Sequence, residues 1–401
     1  PVHLWNEKIC GEHPTSEQVE SLNKLRSFLL CCYRRRLTAD CVRFLKGRHG
    51  KNWRANTSVA AKADRAGVSE IVWRAAANEW FEYPSGSRLH FFRFPQKYRN
   101  MARDGVPIFF HADNLTAPTP LSHHRMKPPP DDERAILRNK LTKVIAKRYL
   151  TPPNETLKSC IKYFAVPKGI INGVVQDWRI VYHAGANKLN DCVWAPNFWL
   201  PTTSTLLRML DSSSLMEDRD IGEMFLNFEL HPFIRKYAGV DIAPLAVGEE
   251  APIDEQRWFS WTKNLMGFRS SPYNSVKMYL MVEEIIRGDR RDEKNAFQWD
   301  KIVLNLPGSM LYCPSKPWIY KVRKDGTMAS DFISFMDDQR ICAGGELRVN
   351  EAGHTLSTRE SYVGVQDALR KWRAAGGTRR PGAWAGAVVF NDEAQGIVVL
   401  T

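Results

Sequence analysis

The segment FISFMDDQRICAG (332 to 344) joins an apolar run of strand-forming residues to two aspartates, then to a second short strand-like run followed by Gly344 and Gly345. That order predicts a hairpin with Asp337 and Asp338 at its tip. Adjacent carboxylates at a tight turn can reach a hard divalent cation, which takes oxygen ligands. One such pair is a weak signal, because Asp131 and Asp132 form another that reads as the cap of a helix. A second segment, DIGEMFLNFELH (220 to 231), adds a carboxylate. Its Ile221, Phe225 and Phe228 are spaced for a strand that begins at Asp220 and runs into a helical turn. Laid beside the hairpin, Asp220 would face Asp337 across one strand spacing. Two carboxylates so placed can hold two Mg²⁺ ions, and phosphoryl transfer needs chiefly positioning and charge neutralisation.

A third segment, NLMGFRSSPYNSVKM (264 to 278), contains a Pro272 that predicts a helix start, with Val276, Tyr279, Leu280 and Ile286 along the helix and Gly288 at its end. In this order and at these spacings the three segments resemble the palm motifs of reverse transcriptases, with FMDD in the place of the family's aromatic-x-Asp-Asp signature. The resemblance covers about residues 135 to 390. YFAVPKG (163 to 169) and DWRIVYHAGANKLND (177 to 191) resemble the fingers, and LHPFIRKYAGVD (230 to 241) resembles the continuation of the first palm motif. SYVGVQDALRKWR with PGAWAG (361 to 386) looks like the tail of the palm in eukaryotic retrotransposon-type genes. GSRLHFFRFPQKYRNMARDG (86 to 105) resembles, less specifically, the region that precedes the polymerase.

The resemblance implies an RNA-directed DNA polymerase that uses Mg²⁺ or Mn²⁺, an RNA or DNA template with its primer, and dNTPs. It makes Asp220 and Asp337 metal ligands, with Asp338 the second acid of the pair. Lys168 and Arg179 match basic residues of the fingers that meet the incoming triphosphate. Phe225 matches the bulky ring that excludes a ribose 2′-hydroxyl, and Gly267 with Ser271 and Pro272 matches the second palm motif. Each also has a plainer reading: Lys168 a surface lysine, Arg179 an ion-pair partner, Phe225 a core aromatic, Gly267 a strand end. Two other functions stay open, an inactive reverse-transcriptase-like protein that binds nucleic acid and an RNA-dependent RNA polymerase. Departures from the family pattern lie at Glu217, Asp218 and Arg219, which charge a strand expected to be half buried, at His183, and at Gln339 after the acidic pair. Buried charge of that kind demands partners.

The elements that must position these groups read as α+β. A helix capped by Asp131 or Asp132 should carry Leu137, Leu141, Val144 and Ile145 on one face and stop before Pro152. Strands are expected at 162 to 168, 177 to 183, after Asp220, at 259 to 265, at 316 to 322 and on both sides of Asp337, with no βαβ rhythm. With the resemblance this becomes a right-hand palm, an antiparallel sheet flanked by helices, with fingers and a mostly helical N-terminal region. The expected divisions are a basic, partly helical region with an extended Pro-rich connection (1 to 130), fingers (131 to 215), palm (216 to 349, with a fingers insertion around 250 to 265), and the end of the palm with the start of a truncated thumb (350 to 401).

The 57 Lys and Arg against 44 Asp and Glu give a net charge of +13, which favours a polyanionic partner. Arg34, Arg35, Arg36, Arg43 and Lys46 alternate with Tyr33 and Phe44, a pattern that can track phosphates and stack bases or can be a solvated helix face. Cys10, His13, Cys31, Cys41 and His49 fit no standard zinc spacing, and the eight cysteines are expected as thiols. No apolar run of about 18 residues is present, so an intracellular protein of cytoplasm or nucleus, away from membranes, is expected.

Overall fold

A computed structural model describes residues 70–77, 80–82, 88–90, 94–111, 128–210, 214–245, 257–365, 367–373, 383–385, 387–392 and 396–400, together with positions 16, 17, 20 and 24. The chain divides into two compact units, Pro1–Phe81 with His90–Phe92, and Glu82–Leu89 with Arg93–Thr401. In the first, a helix Glu70–Ala77 buries Ile71, Val72, Trp73 and Ala75. The basic run with Arg34, Arg35, Arg36, Arg43 and Lys46, and the candidate zinc residues, lie outside the described residues.

All elements that follow belong to the second unit. Helix α1 (Gln96–Asp104) replaces part of the extended connection expected there; Pro95 sits at its N-cap, where a missing N–H costs nothing. Helix α2 (Asp131–Ala146) buries Leu137 and Leu141 as its periodicity predicts. Its cap differs from expectation: Pro130 holds the N-cap, and Asp131 and Asp132 occupy the first turn, where their charge favours the helix dipole. Strands β1 (Lys162–Ile171) and β2 (Val174–His183) form a ribbon closed by Asn172 and Gly173, both at positive φ, the turn that matches strand twist.

Strand β3 (Ser214–Ile221) corrects the reading of the Asp220 segment. The strand leads up to Asp220 and ends one residue past it, and the chain then turns through Gly222 and Glu223 into a 3₁₀ turn, Met224–Asn227. Helix α3 (Ser271–Arg287) begins beside Pro272 and stops at Gly288 as expected. A two-stranded excursion, β4 (Lys301–Leu304) and β5 (Ile319–Val322), leads to the acidic hairpin of β6 (Asp331–Phe335) and β7 (Asp338–Gly344). Helix α4 (Glu346–Tyr362) and strand β8 (Asp367–Arg373) follow, then β9 (Ala383–Trp384), β10 (Ala387–Asp392) and β11 (Gly396–Leu400).

The fold is α+β, built from small antiparallel sheets and helices. The central sheet runs β6-β7-β3-β8 with every pair antiparallel. Helices α3 and α4 pack together, and α4 lies on β7 and β3. The other face of the sheet meets an apolar cluster of Leu206, Leu210, Met216, Cys342, Trp384, Ala387 and Val389, contributed partly by the β9-β10-β11 sheet. Among the described residues no helix is long and apolar enough to cross a membrane. Cys160, Cys192, Cys313 and Cys342 are free thiols.

Candidate active site

Strand register decides where the acidic residues stand. Asp220 of β3 lies directly opposite Asp338 of β7, and the Ile221 N–H donates to the Asp337 carbonyl at 2.8 Å. A bond from the residue after one partner to the residue before the other marks the non-hydrogen-bonded kind of antiparallel pair. That kind holds its Cα atoms about 4.5 Å apart with both side chains on one face. Asp337 is in the turn itself, next to Met336, whose φ of +56° is unusual for a residue with a side chain. The strain therefore lies at the hairpin tip, beside the acids. Trp384 Nε1 donates to the Asp338 carbonyl at 3.3 Å and its ring meets Phe335, so the C-terminal sheet braces the same turn.

Below this acidic rung the charged residues of β3 find the partners that burial requires. Asp218, on the face that carries Asp220, receives two bonds from Arg340, 2.5 and 2.7 Å long, and Arg340 is fully buried with a third bond to the Val389 carbonyl. On the helix face Arg219 holds Glu217 at 2.9 and 3.1 Å and reaches Ser357 of α4. Gln339, opposite Arg219, bonds Tyr279 of α3 and, at 2.7 Å, Glu360 of α4. Burial first, then Glu360, raises the Tyr279 phenol well above its usual range, so it stays a neutral donor. The departures at 217, 219 and 339 thus find partners on the helix face of the sheet, and Asp218 finds its partner on the opposite face.

The segment with Gly267 is tied in from two sides. The Asn264 N–H donates to the Phe228 carbonyl at 2.9 Å, and the Asn264 side chain bonds Ser271 and Ser275 at the start of α3. Asn190 clasps the loop, donating to the Gly267 carbonyl and accepting from the Arg269 N–H, each at 2.9 Å. Gly267 itself has φ +109° and lies so close to the Tyr182 carbonyl of β2 that a Cβ would collide with it. The close approach at this glycine is to the ribbon. Backbone contacts therefore link the stretch after Asp220, the Gly267 loop and the base of β1-β2.

Lys168 and Arg179 are exposed on that ribbon. Lys168 pairs with Asp177 and Arg179 with Val166, so the two cations share one face as diagonal neighbours. The ribbon is braced from below: Lys140 of α2 binds Asp177 at 2.6 Å, Glu133 accepts from the Ala165 N–H, and Tyr163 donates to the Asp241 carbonyl. His183 is exposed and its Nδ1 accepts from the Ala186 N–H. Phe225 is half-buried in the 3₁₀ turn five residues past Asp220. At the other end of α3, Arg287 binds Glu283 and Asp331 and donates to the Phe332 carbonyl, which pins the start of β6. Burial opposes ionisation of Asp331, but Arg287 and Lys321 outweigh it and hold the carboxyl below its usual range.

Sequence reasoning missed the residues that answer these charges. Arg340, Glu360 and Ser357 were given no role there, and Trp384 was quoted only within PGAWAG; the one available signal was the unexplained charge on β3, which had to be answered somewhere. Among the described residues no group of three or more His, Cys, Asp or Glu side chains is already gathered as a metal site. The donor set nonetheless suits a hard cation, since the rung and turn offer carboxylates alone. The backbone places Asp220 and Asp338 on one face of the sheet, with Asp337 in the adjoining turn. Scanned against models of known protein families the chain matches none, and a search of curated proteins finds no match.

Proposed function

We propose that this chain is the polymerase core of a reverse transcriptase, making DNA on an RNA template from dNTPs. The observation that carries the reading is the rung of Asp220 opposite Asp338 with Asp337 in the adjoining turn, on an antiparallel sheet backed by two helices. In this reading the sheet is the palm and the β1-β2 ribbon belongs to the fingers. Asp220, Asp337 and Asp338 would hold Mg²⁺ or Mn²⁺, which when bound lowers the pKa of the primer 3′-hydroxyl and neutralises the triphosphate. Lys168 and Arg179 supply a point charge and a planar fork of donors for the phosphates of the incoming nucleotide. Phe225 would lie under the sugar and exclude a 2′-hydroxyl. A net charge of +13 suits a template and primer. Lys277 of α3 adds to this: burial and the neighbouring Lys97 push its ammonium down to about 8, so an anion placed there would relieve the crowding.

A binding protein with a silent polymerase fold drew its main support from Arg219, and that support weakens once Arg219 has Glu217 and Ser357 as partners. Primer extension on an RNA template separates the readings. The parent chain should extend with dNTPs and Mg²⁺, and Asp337→Asn should slow extension about 1,000-fold or more, the several kcal/mol that a cation ligand supplies, at unchanged melting temperature. Phe225→Ala should admit rNTPs. Template binding without any extension by the parent chain would leave the silent scaffold, and equal use of rNTPs by the parent would favour an RNA-dependent RNA polymerase.

A further inference from the structure

Between α3 and β6 the chain makes an excursion, residues 288–330, that adds no strand to the central sheet. Its base encloses a cleft of about 400 Å³ lined by Arg290, Arg291, Gln298, Trp299, Asp300 and Lys324. Three cations face one acid there. The lining is anchored through its backbone: Asn295 donates to the Arg287 and Asp289 carbonyls at 2.7 and 2.8 Å, the Trp299 N–H to the Arg290 carbonyl at 3.3 Å, and the Asp300 N–H to the Val322 carbonyl at 2.8 Å. Asp289 accepts from the Arg291 N–H at 2.9 Å, which sets the turn between the two arginines.

The cations are available. Neither Arg290 nor Arg291 forms an ion pair among the described residues, and both are exposed. Lys324 holds Glu293 at 3.1 Å, but both side chains are largely in solvent, where such a pair is worth little. The Arg290 guanidinium lies 4.1 Å from the Trp299 ring centroid, and Lys321 Nζ is 5.7 Å from the same ring. A guanidinium stacked on an indole keeps its N–H edge for phosphate oxygens and offers a flat surface to a nucleobase.

We propose that this cleft binds single-stranded nucleic acid, with Arg290 and Arg291 on successive phosphodiesters and a base stacked on the Arg290–Trp299 pair. Unpaired bases expose the faces that such a platform takes, whereas a duplex keeps them stacked inside. Asp300 lies in the lining and favours a ligand that enters along the arginine side. The proposal goes beyond the polymerase reading and does not depend on it.

The test is fluorescence anisotropy on the full chain carrying Asp337→Asn, so that its outcome is independent of catalysis. The probes are labelled oligouridine and oligothymidine of about 20 nucleotides, several site lengths of a typical single-strand groove. Replacing both arginines, R290Q with R291Q, should weaken binding about tenfold and reduce the slope of log affinity against log salt by about 1.4, two contacts at about 0.7 each. W299A should lose about fivefold or more and W299F should retain most of the affinity, since any base stacks on an aromatic face. Both arginines are exposed, so circular dichroism melting of the double variant should match the parent. Unchanged affinity and salt slope in the double variant would overturn the proposal. It would fall equally if uridine monophosphate or inorganic phosphate competed as well as the oligomer per phosphate, or if a blunt duplex lost as much affinity as the single strands in the double variant.

Discussion

The ribbon β1-β2 and the hairpin β6-β7 both present charge near a turn, yet they are built in opposite ways. In the ribbon Lys168, Arg179 and the tip residues Ile170, Ile171 and Val174 are exposed, and only the base is held, by Tyr163, Tyr182 and α2. In the hairpin Phe332, Ile341 and Arg340 are fully buried, and contacts to α3, α4 and the C-terminal sheet enclose it on both faces. The difference teaches a division of labour. Under the proposed function, carboxylates that would share metal ions take positions fixed by a packed sheet, whereas the basic residues proposed to meet a diffusing triphosphate sit on an arm open to solvent.

That contrast can be broken by substitution. The largest effect is expected at Arg340: R340M removes both guanidinium bonds from Asp218 in the sheet and should cost about 3–5 kcal/mol, the usual penalty for breaking a buried pair from one side. Chemical denaturation measures it, and D218L combined with R340M should recover much of the loss. A small change in R340M would mean that the pair is not what fixes the hairpin. Removing the ribbon's charges should leave stability alone. K168A and R179A should each raise KM for dNTPs about tenfold, near the lower end of what a charge-assisted bond is worth, while the melting temperature stays within a degree or so. A fall in melting temperature with unchanged KM would reverse the division of labour.

The smallest effect is a pH dependence of the hairpin's root. The Asp331 carboxyl is held below its usual value in the folded protein. The stability it contributes is therefore complete above its unfolded pKa of about 4 and is lost as pH falls through the lower folded value. Urea midpoints followed below about pH 5 should decline less steeply in D331N than in the parent, because that linkage is gone. Parallel declines would remove Asp331 from the account.

Much of this arrangement was legible in the chain. Strand formers on both sides of Asp337 and Asp338 specify the hairpin, Pro272 and Gly288 bracket α3, and the ribbon is written in two apolar runs, though the Asn172–Gly173 turn was not singled out. The residue pattern alone started strand β3 at Asp220, and only the resemblance put Glu217, Asp218 and Arg219 in a strand, because they do not look like sheet residues until Arg340, Ser357 and α4 are beside them. Helix α4 was missed: its buried face includes Gly353, Arg359 and Glu360, whose partners lie on β3, α3 and β7. Local patterns show turns and caps. Partnerships between distant charges show only in three dimensions.

Gly353 of α4 lies against the Arg219–Glu217 pair so closely that a Cβ would sit 2.9 Å from the guanidinium and 3.0 Å from the carboxylate. The missing side chain is what lets the helix settle over two full charges. An alanine at 353 would oblige the ends of the Arg219 and Glu217 side chains to give by a few tenths of an ångström, so the cost of G353A depends on how freely that ion pair can shift.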